Sequence, residues 1–94
     1  IEIYTGPFAK FLEEEDHANV TLCKSNIVEC INLAKQSMLG INAGHDLNLD
    51  NLPHLKECGS VDEVSIGHAI ITDALKFGFD DTIMKYIRTV RNEQ

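Results

Sequence analysis

The sequence predicts an α/β fold with a parallel sheet, and three observations support this. Short apolar segments alternate with helical patterns along the 94 residues, in the order β-α-β-α-β-α-α. Such alternation is typical of parallel strands joined by helical crossovers. Two of the predicted strands end in Gly-His, at Gly44-His45 and Gly67-His68, with a helical pattern soon after. Three strands cannot close a barrel, and an open parallel sheet would leave edges and a face uncovered. We therefore expect 1–94 to be the C-terminal portion of one (β/α)8-barrel domain, its last three β/α units, with the N-terminal portion absent from this sequence.

The first strand is predicted at Ile1–Thr5, where an apolar run is closed by Gly6-Pro7. The following segment, 8–19, is ambiguous. Phe8, Phe11 and Leu12 have helical spacing, whereas the acidic run at 13–16 suggests a loop-like insertion.

A clear helical pattern follows, with Ser25 or Asn26 as its predicted N-cap and an end between Lys35 and Leu39. Its buried face is predicted to hold four residues: Ile27, Ile31, Ala34 and Met38. The second strand is expected to run through Gly40 to Ala43.

The second half continues the alternation. Asn48 is the predicted N-cap of a brief helix with three leucines on one side, Leu49, Leu52 and Leu55. The third strand is expected within 61–66. A short helix is predicted at His68–Lys76, stopped by Gly78, and we expect it to be the extra phosphate-binding helix that barrels often carry after their last strands. Asp80 or Asp81 is the predicted cap of the last helix, whose buried stripe is expected to be Ile83, Ile87 and Val90.

Composition restricts the class of protein. The formal net charge is −7, which argues against non-specific nucleic-acid binding because a basic face is needed to displace phosphate counterions. No run is long and apolar enough to span a membrane, so no membrane partner is expected. The three cysteines lack metal-site spacing and are predicted to be free thiols of a reducing, cytoplasmic environment.

Candidate site residues lie in or just after the predicted strands. Strand alternation places Glu2 opposite Ile1 and Ile3, which in a barrel means facing the interior, where a carboxylate is costly unless it is paired or used. His45 follows a strand glycine and could be a general acid, a phosphate ligand, a metal ligand or a packing residue. Gly67-His68 combines helix N-terminal amides with an imidazole, which suits a phosphate. His17 and His54 lack such a setting and are predicted to be exposed.

The order and spacing of three segments resemble the pyridoxine 5′-phosphate synthase family, and the match spans nearly the whole chain. The segments are Ile1-Glu2-Ile3-Tyr4-Thr5-Gly6, Asn42-Ala43-Gly44-His45 and Ile66-Gly67-His68-Ala69-Ile70-Ile71. The resemblance implies a TIM-barrel transferase of vitamin B6 biosynthesis. It would condense 1-deoxy-D-xylulose 5-phosphate with 3-amino-2-oxopropyl phosphate to give pyridoxine 5′-phosphate, inorganic phosphate and water.

The resemblance also implies roles for individual residues. His45 is similar to the family's proton donor, and Glu2 to its transition-state stabiliser. Asp46, Gly67 and His68 occupy positions that hold the phosphate of 3-amino-2-oxopropyl phosphate, although Asp46 stands where glycine is expected, and Tyr4 where histidine is expected. No cofactor and no obligatory metal are implied, and the protein is expected to be a homo-oligomer. The 94-residue chain alone is expected to be inactive, because the other half of the site is not in this sequence.

Two other functions are compatible with the same residues. Glu2, His45 and His68 could be the metal ligands of a barrel hydrolase or aldolase. Alternatively, the histidines could only contact a ligand or partner, in a non-catalytic phosphate-binding module.

Overall fold

The computed structural model describes residues 1–91, in which three short strands alternate with five helices. In chain order these elements are β1 (Glu2–Tyr4), α1 (Gly6–Glu13), α2 (His17–Gln36), β2 (Asn42–Gly44), α3 (Leu52–Lys56), β3 (Glu63–Ser65), α4 (His68–Phe77) and α5 (Phe79–Val90).

The three strands form one parallel sheet in the order β1-β2-β3. Glu2 pairs with Asn42, and Gly44 pairs with both Tyr4 and Ser65. Each strand therefore lies beside the strand that precedes it in the chain, with no reversal of order. This is the arrangement of consecutive β/α units, and it differs from a doubly wound sheet, in which the strand order reverses at a switch point. The predicted α/β class and parallel sheet are confirmed.

The helices cover only one face of the sheet. Ile3 and Ala43 point to that face and share one apolar cluster with residues from the helices and connecting loops. The cluster's buried members are Ile3, Phe8, Val20, Ile27, Ile31, Ala34, Ile41, Ala43, Leu47, Leu52, Leu55, Cys58 and Tyr86. Alternation turns Glu2, Tyr4 and Ser65 to the opposite face, where all three are exposed. One face of the sheet is thus apolar and covered, and the other is polar and open.

The segment after β1 is a helix as far as Glu13, which decides the ambiguous segment in favour of the helical spacing of Phe8, Phe11 and Leu12. Helix α1 begins at Gly6 with Pro7 in its first turn, a position where the missing N–H of proline is tolerated. Phe8 and Ala9 are buried against the core. Burial of this apolar face outweighs the acidic run, which is left as the short connection around Glu14 and Glu15.

Helix α2 begins earlier than predicted, because Asp16 caps it: its side chain accepts the backbone N–H of Asn19 at 3.3 Å. The cap predicted at Ser25 or Asn26 is therefore wrong, and both residues lie inside the helix.

Burial on α2 confirms three of the four predicted core residues, Ile27, Ile31 and Ala34. Met38 is 93% exposed, because the helix has ended at Gln36 and Met38 itself has a φ of 59°. Strand β2 starts at Asn42, so Gly40 lies before it rather than in it.

Helix α3 starts at Leu52, three residues later than a cap at Asn48 would place it. The Asn48 side chain instead accepts the N–H groups of Asp50 and Asn51, at 2.9 and 2.8 Å, and closes the turn before the helix. Leu52 and Leu55 are buried as predicted.

The last two helices meet at Gly78. Its φ of 87° ends α4 and caps α5, so the predicted caps Asp80 and Asp81 lie in the first turn of α5 instead. There their carboxylates face the positive end of the helix dipole. The fully buried positions of α5 are Thr82 and Tyr86.

The predicted stripe of α5 is thus only partly correct, since Ile87 is 36% exposed whereas Ile83 and Val90 are half-buried. Tyr86 can be buried because its hydroxyl donates to Asp73 of α4 at 2.7 Å. Burial and this hydrogen bond raise the pKa of Tyr86, which keeps the phenol a donor. Among the described helices, including the 20-residue α2, none is both long enough and apolar enough to cross a membrane.

Candidate active site

A cleft of about 1170 Å³ lies at the carboxyl ends of the three strands. Glu2, His45, Asp46, Gly67 and His68, which the sequence singled out, all line it. Glu2 lies in β1, whereas the other four residues follow β2 or β3, and the pairing of the three strands in one parallel sheet brings them together at this edge. The structure therefore assembles every residue of the predicted site in one place.

Glu2 lies over the end of the neighbouring strand. Its Oε1 atom is 3.4 Å from the position that a Cβ on Gly44 would occupy, and the Ser65 Cβ is 3.3 Å from the same position. The absence of a side chain at Gly44 therefore leaves room for the Glu2 carboxylate on the open face of the sheet. The predicted orientation of Glu2, opposite to Ile3, is confirmed.

His45 and Asp46 form an unusual turn at the end of β2. Their φ angles are 102° and 57°, a conformation that favours glycine and that other residues adopt at a cost. Both side chains are exposed in the cleft. The left-handed conformation gives a physical reason for expecting glycine at position 46, and aspartate is one of the side chains that tolerates it best.

Tyr4, to which the sequence assigned no role, contacts the His45 imidazole. The two rings are 4.6 Å apart at an angle of 70°, an edge-to-face arrangement. The tyrosine ring also lies over Gly6, where a Cβ would come within 2.8 Å of the phenol carbon Cζ and oxygen. The glycine at the start of α1 thus makes room for the ring that packs against His45.

Gly67 and His68 form the N-terminal end of α4. No side chain accepts a hydrogen bond from the backbone N–H groups at this end, so no capping side chain competes with a ligand for them. A Cβ on Gly67 would meet no other atom within 4 Å, which leaves open space beside these amides. The His68 side chain is exposed at the same end. Amide hydrogens, open space and an imidazole together suit an anionic group.

Other residues that sequence reasoning did not assign to the site also line the cleft. Helix α1 contributes Lys10 and Glu13, and the segment around α3 contributes Asp50 and His54. The spacing of Lys10 and Glu13, three residues apart, could have indicated a shared helical face if the segment had been interpreted as a helix. His54 is half-buried rather than exposed as predicted, and its Nδ1 is buried without a hydrogen-bond partner among the described residues. His17 is exposed, as predicted.

The cysteines contribute no group to the cleft. All three are free, with Cys58 buried, Cys23 half-buried and Cys30 exposed. Burial raises the pKa of the Cys58 thiol, which disfavours the reactive thiolate.

Metal-ligating geometry is absent from the described part of the chain. In residues 1–91 no three His, Cys, Asp or Glu side chains come together in an arrangement that could hold a metal ion. Glu2, His45 and His68 therefore line one cleft without forming such a group, and the structure gives the metal-ligand hypothesis no support.

Fold and site together define an α/β protein with a polar, anion-compatible cleft at the carboxyl edge of a parallel sheet. Comparison with known proteins gives the particular family. Residues 1–92 match the family model described as "Pyridoxal phosphate biosynthesis protein PdxJ". The chain belongs to this family.

Curated relatives of the chain are named pyridoxine 5′-phosphate synthase, in agreement with the family match. Over 92 residues the chain is 45% identical to the pyridoxine 5′-phosphate synthase of Cytophaga hutchinsonii, covering 97% of this chain and 37% of that protein. It is 46% identical over 87 residues to the synthase of Parabacteroides distasonis, covering 92% of this chain and 35% of the relative. The synthase of Brucella anthropi is 42% identical over 88 residues, which cover 93% of this chain and 35% of the relative. The chain thus spans little more than a third of the length of these relatives.

Proposed function

We propose that this chain is part of a pyridoxine 5′-phosphate synthase. The enzyme would join 1-deoxy-D-xylulose 5-phosphate to 3-amino-2-oxopropyl phosphate and close the pyridine ring of pyridoxine 5′-phosphate. The observation that carries the proposal is that Glu2, His45 and Gly67-His68 line the same cleft. The chain also belongs to the family in which this activity is found.

The geometry supports a different role for each of three groups in the cleft. The His45 imidazole is exposed at the carboxyl end of β2 and can deliver a proton to a bound substrate. The Glu2 carboxylate lies on the adjacent strand and can stabilise positive charge, such as that of a protonated imine, as it forms. The N-terminus of α4 with Gly67 and His68 is a site for the phosphate of 3-amino-2-oxopropyl phosphate. Proton transfers and eliminations make up the reaction, so acid-base groups and phosphate contacts meet its needs.

The charge of the cleft supports the view that this chain holds only part of the site. Its lining includes four carboxylates, those of Glu2, Glu13, Asp46 and Asp50, but a single lysine, Lys10. Two phosphorylated substrates require more positive charge than these residues provide. We infer that the remaining positive charge comes from another part of a longer protein. In that protein the sheet, which helices cover on one face, would continue into a closed barrel. Homo-oligomeric assembly is proposed from membership of this family.

Turnover by the full-length protein tests the proposed function. The protein is incubated with both phosphorylated substrates, and the formation of pyridoxine 5′-phosphate and inorganic phosphate is measured. Stoichiometric formation of the two products is expected from the full-length protein and none from the 94-residue chain alone. Absence of pyridoxine 5′-phosphate from a folded full-length preparation would refute the proposal.

The Gly6→Ala substitution in the full-length enzyme is expected to lower kcat by about 2- to 10-fold. This range corresponds to loss of an edge-to-face aromatic contact of about 0.5–1.5 kcal/mol, because the new Cβ displaces the Tyr4 ring from His45. A double-mutant cycle isolates the cause: once Tyr4→Ala has removed the ring, Gly6→Ala should have no further effect on kcat. Equal losses in both backgrounds would show that Gly6 acts in another way.

Replacing Asp46 by glycine is expected to lower the KM for 3-amino-2-oxopropyl phosphate by about 2- to 5-fold, with kcat little changed. The substitution removes a carboxylate from beside the phosphate site, and repulsion between exposed charges amounts to about 0.2–1 kcal/mol. The Asp46→Asn variant removes the same charge but keeps a side chain that tolerates a φ of 57°. Steady-state kinetics should give both variants the lower KM, and a rise in KM for both would contradict the charge argument.

A further inference from the structure

The turn that carries His45 needs support from outside itself. Two consecutive residues other than glycine, His45 and Asp46, have φ angles of 102° and 57°. Such conformations are unfavourable for residues other than glycine and persist only where the surrounding structure fixes them. Both residues are exposed, and the edge-to-face contact between the Tyr4 and His45 rings acts on the side chain of His45 rather than on the carbonyl groups of the turn.

Thr5 holds the first half of the turn from the end of β1. Its side chain is fully buried, and its hydroxyl donates to the carbonyl oxygen of His45 at 2.6 Å. The backbone N–H of Thr5 also donates to the carbonyl of Gly44 at 2.9 Å. One residue therefore fixes two successive carbonyls at the point where β2 enters the turn.

Asn51 holds the second half from the N-terminal end of α3. Its side-chain NH₂ donates to the carbonyl oxygen of Asp46 at 2.9 Å, and the residue is 5% exposed. The same side chain accepts the backbone N–H of Asn48 at 2.8 Å, and Asn48 in return accepts the N–H of Asn51 at 2.8 Å. This reciprocal pair leaves the amide of Asn51 little freedom to rotate away from the turn.

We propose that Thr5 and Asn51 are positioning residues for the proton donor. By fixing the carbonyls of His45 and Asp46, they hold the left-handed turn in the conformation that presents the imidazole to the cleft. Thr5 does not itself line the cleft, so its effect on the chemistry passes through His45. The proposal rests on the proposed function, in which His45 is the proton donor.

The Thr5→Val variant of the full-length enzyme tests the role of the hydroxyl. Valine has nearly the shape of threonine, so the change removes the hydrogen bond to the His45 carbonyl and little else. Since a misplacement of about 1 Å can reduce turnover by about 100-fold, we expect kcat to fall by about 10- to 100-fold with the KM of both substrates within about 2-fold. Thr5→Ser keeps the hydroxyl and should restore kcat to within about 3-fold of the parent.

The chain offers a matched control in Thr82. This residue is also fully buried, but its hydroxyl has no hydrogen-bond partner among the described residues. Thr82→Val is therefore the same chemical change in the core, away from the turn, and should leave kcat unchanged. Equal losses in Thr5→Val and Thr82→Val would reveal a general effect on folding and would overturn the proposal.

Asn51→Asp supplies an independent test, and it decides the matter if Thr5→Val does not fold. Aspartate keeps an oxygen for the N–H of Asn48 but replaces the donor to the Asp46 carbonyl by a second oxygen. We expect kcat to fall as in Thr5→Val. Because Asn51 lines the cleft and the substitution adds a carboxylate there, the KM of the phosphorylated substrates is expected to rise by up to about 5-fold as well. A parental kcat in either folded variant would contradict the role of that residue.

Combining Thr5→Val with His45→Gln distinguishes the positioning role of Thr5 from the proton-donor role of His45. If Thr5 acts only through the imidazole, Thr5→Val should cause no further loss of kcat once His45 is glutamine. A further loss of 10-fold or more would show that Thr5 acts independently of His45 and would overturn the positioning role while leaving the proposed function intact. Parental turnover by His45→Gln itself would overturn the donor role and, with it, this proposal.

Discussion

Replacing His45 by glutamine in the full-length enzyme is expected to lower kcat by about 10²- to 10⁴-fold, the range typical of losing a general acid. Glutamine is similar in size and polarity but cannot exchange a proton near neutral pH. The side chain is exposed in the cleft and loses only its edge-to-face contact with Tyr4, so the free energy of unfolding should change by no more than about 1.5 kcal/mol. The measurement is steady-state formation of pyridoxine 5′-phosphate, together with a denaturant titration.

His17→Gln is the matched control, because His17 is exposed at the start of α2 and does not line the cleft. This variant should keep the parental kcat. A His45→Gln enzyme that turned over at the parental rate but bound phosphate less tightly would contradict the proton-donor role. That outcome would favour the alternative in which the histidines only contact a ligand.

The Phe8→Ala substitution is expected to reduce the free energy of unfolding of the full-length protein by about 3–5 kcal/mol. The Phe8 side chain is 1% exposed and is the largest fully buried side chain of the described residues. Truncation to alanine removes apolar contacts and leaves a cavity between α1 and the sheet, because a packed core relaxes only partly. Equilibrium unfolding by urea, followed by circular dichroism, measures the change.

The same truncation at an exposed position provides the comparison. Phe79, at the start of α5, is 65% exposed, and Phe79→Ala should change the free energy of unfolding by no more than about 0.5 kcal/mol. A loss of less than about 1 kcal/mol in Phe8→Ala would mean that α1 is not anchored by this side chain. The acidic stretch after it would then be better described as the loop that the sequence suggested.

Periodicity predicted correctly those elements in which one face alone is apolar. The α2 face with Ile27, Ile31 and Ala34 is an example. Sequence reasoning was ambiguous or wrong where a local signal competed with packing. The acidic run left helix and loop both open for 8–19, and Asn26 resembled a cap although Asp16 is the residue that caps α2. Local side-chain chemistry identifies possible caps and loops, but burial against distant residues decides which of them form.

The predicted site residues were found together in one cleft, because they lie in or just after successive strands of one parallel sheet, and that position is a property of the chain order. Their neighbours were not predicted in the same way. Lys10 depends on α1 being a helix, and the contact between Tyr4 and His45 joins residues 41 positions apart. The periodicity of apolar residues along the chain cannot predict a contact between residues so far apart.

Sequence patterns alone predict the α/β class, the parallel sheet and the candidate residues Glu2, His45 and Gly67-His68. Each of these follows from short-range features, namely strand and helix periodicity and the residue types in and after the strands. The way in which His45 is presented depends on tertiary contacts. The left-handed turn is unfavourable on its own, and its conformation is fixed by hydrogen bonds from Thr5 and Asn51, one from the end of β1 and the other from the start of α3. A local sequence pattern cannot encode that turn, because the free energy that holds it comes from residues that only the folded sheet brings within reach.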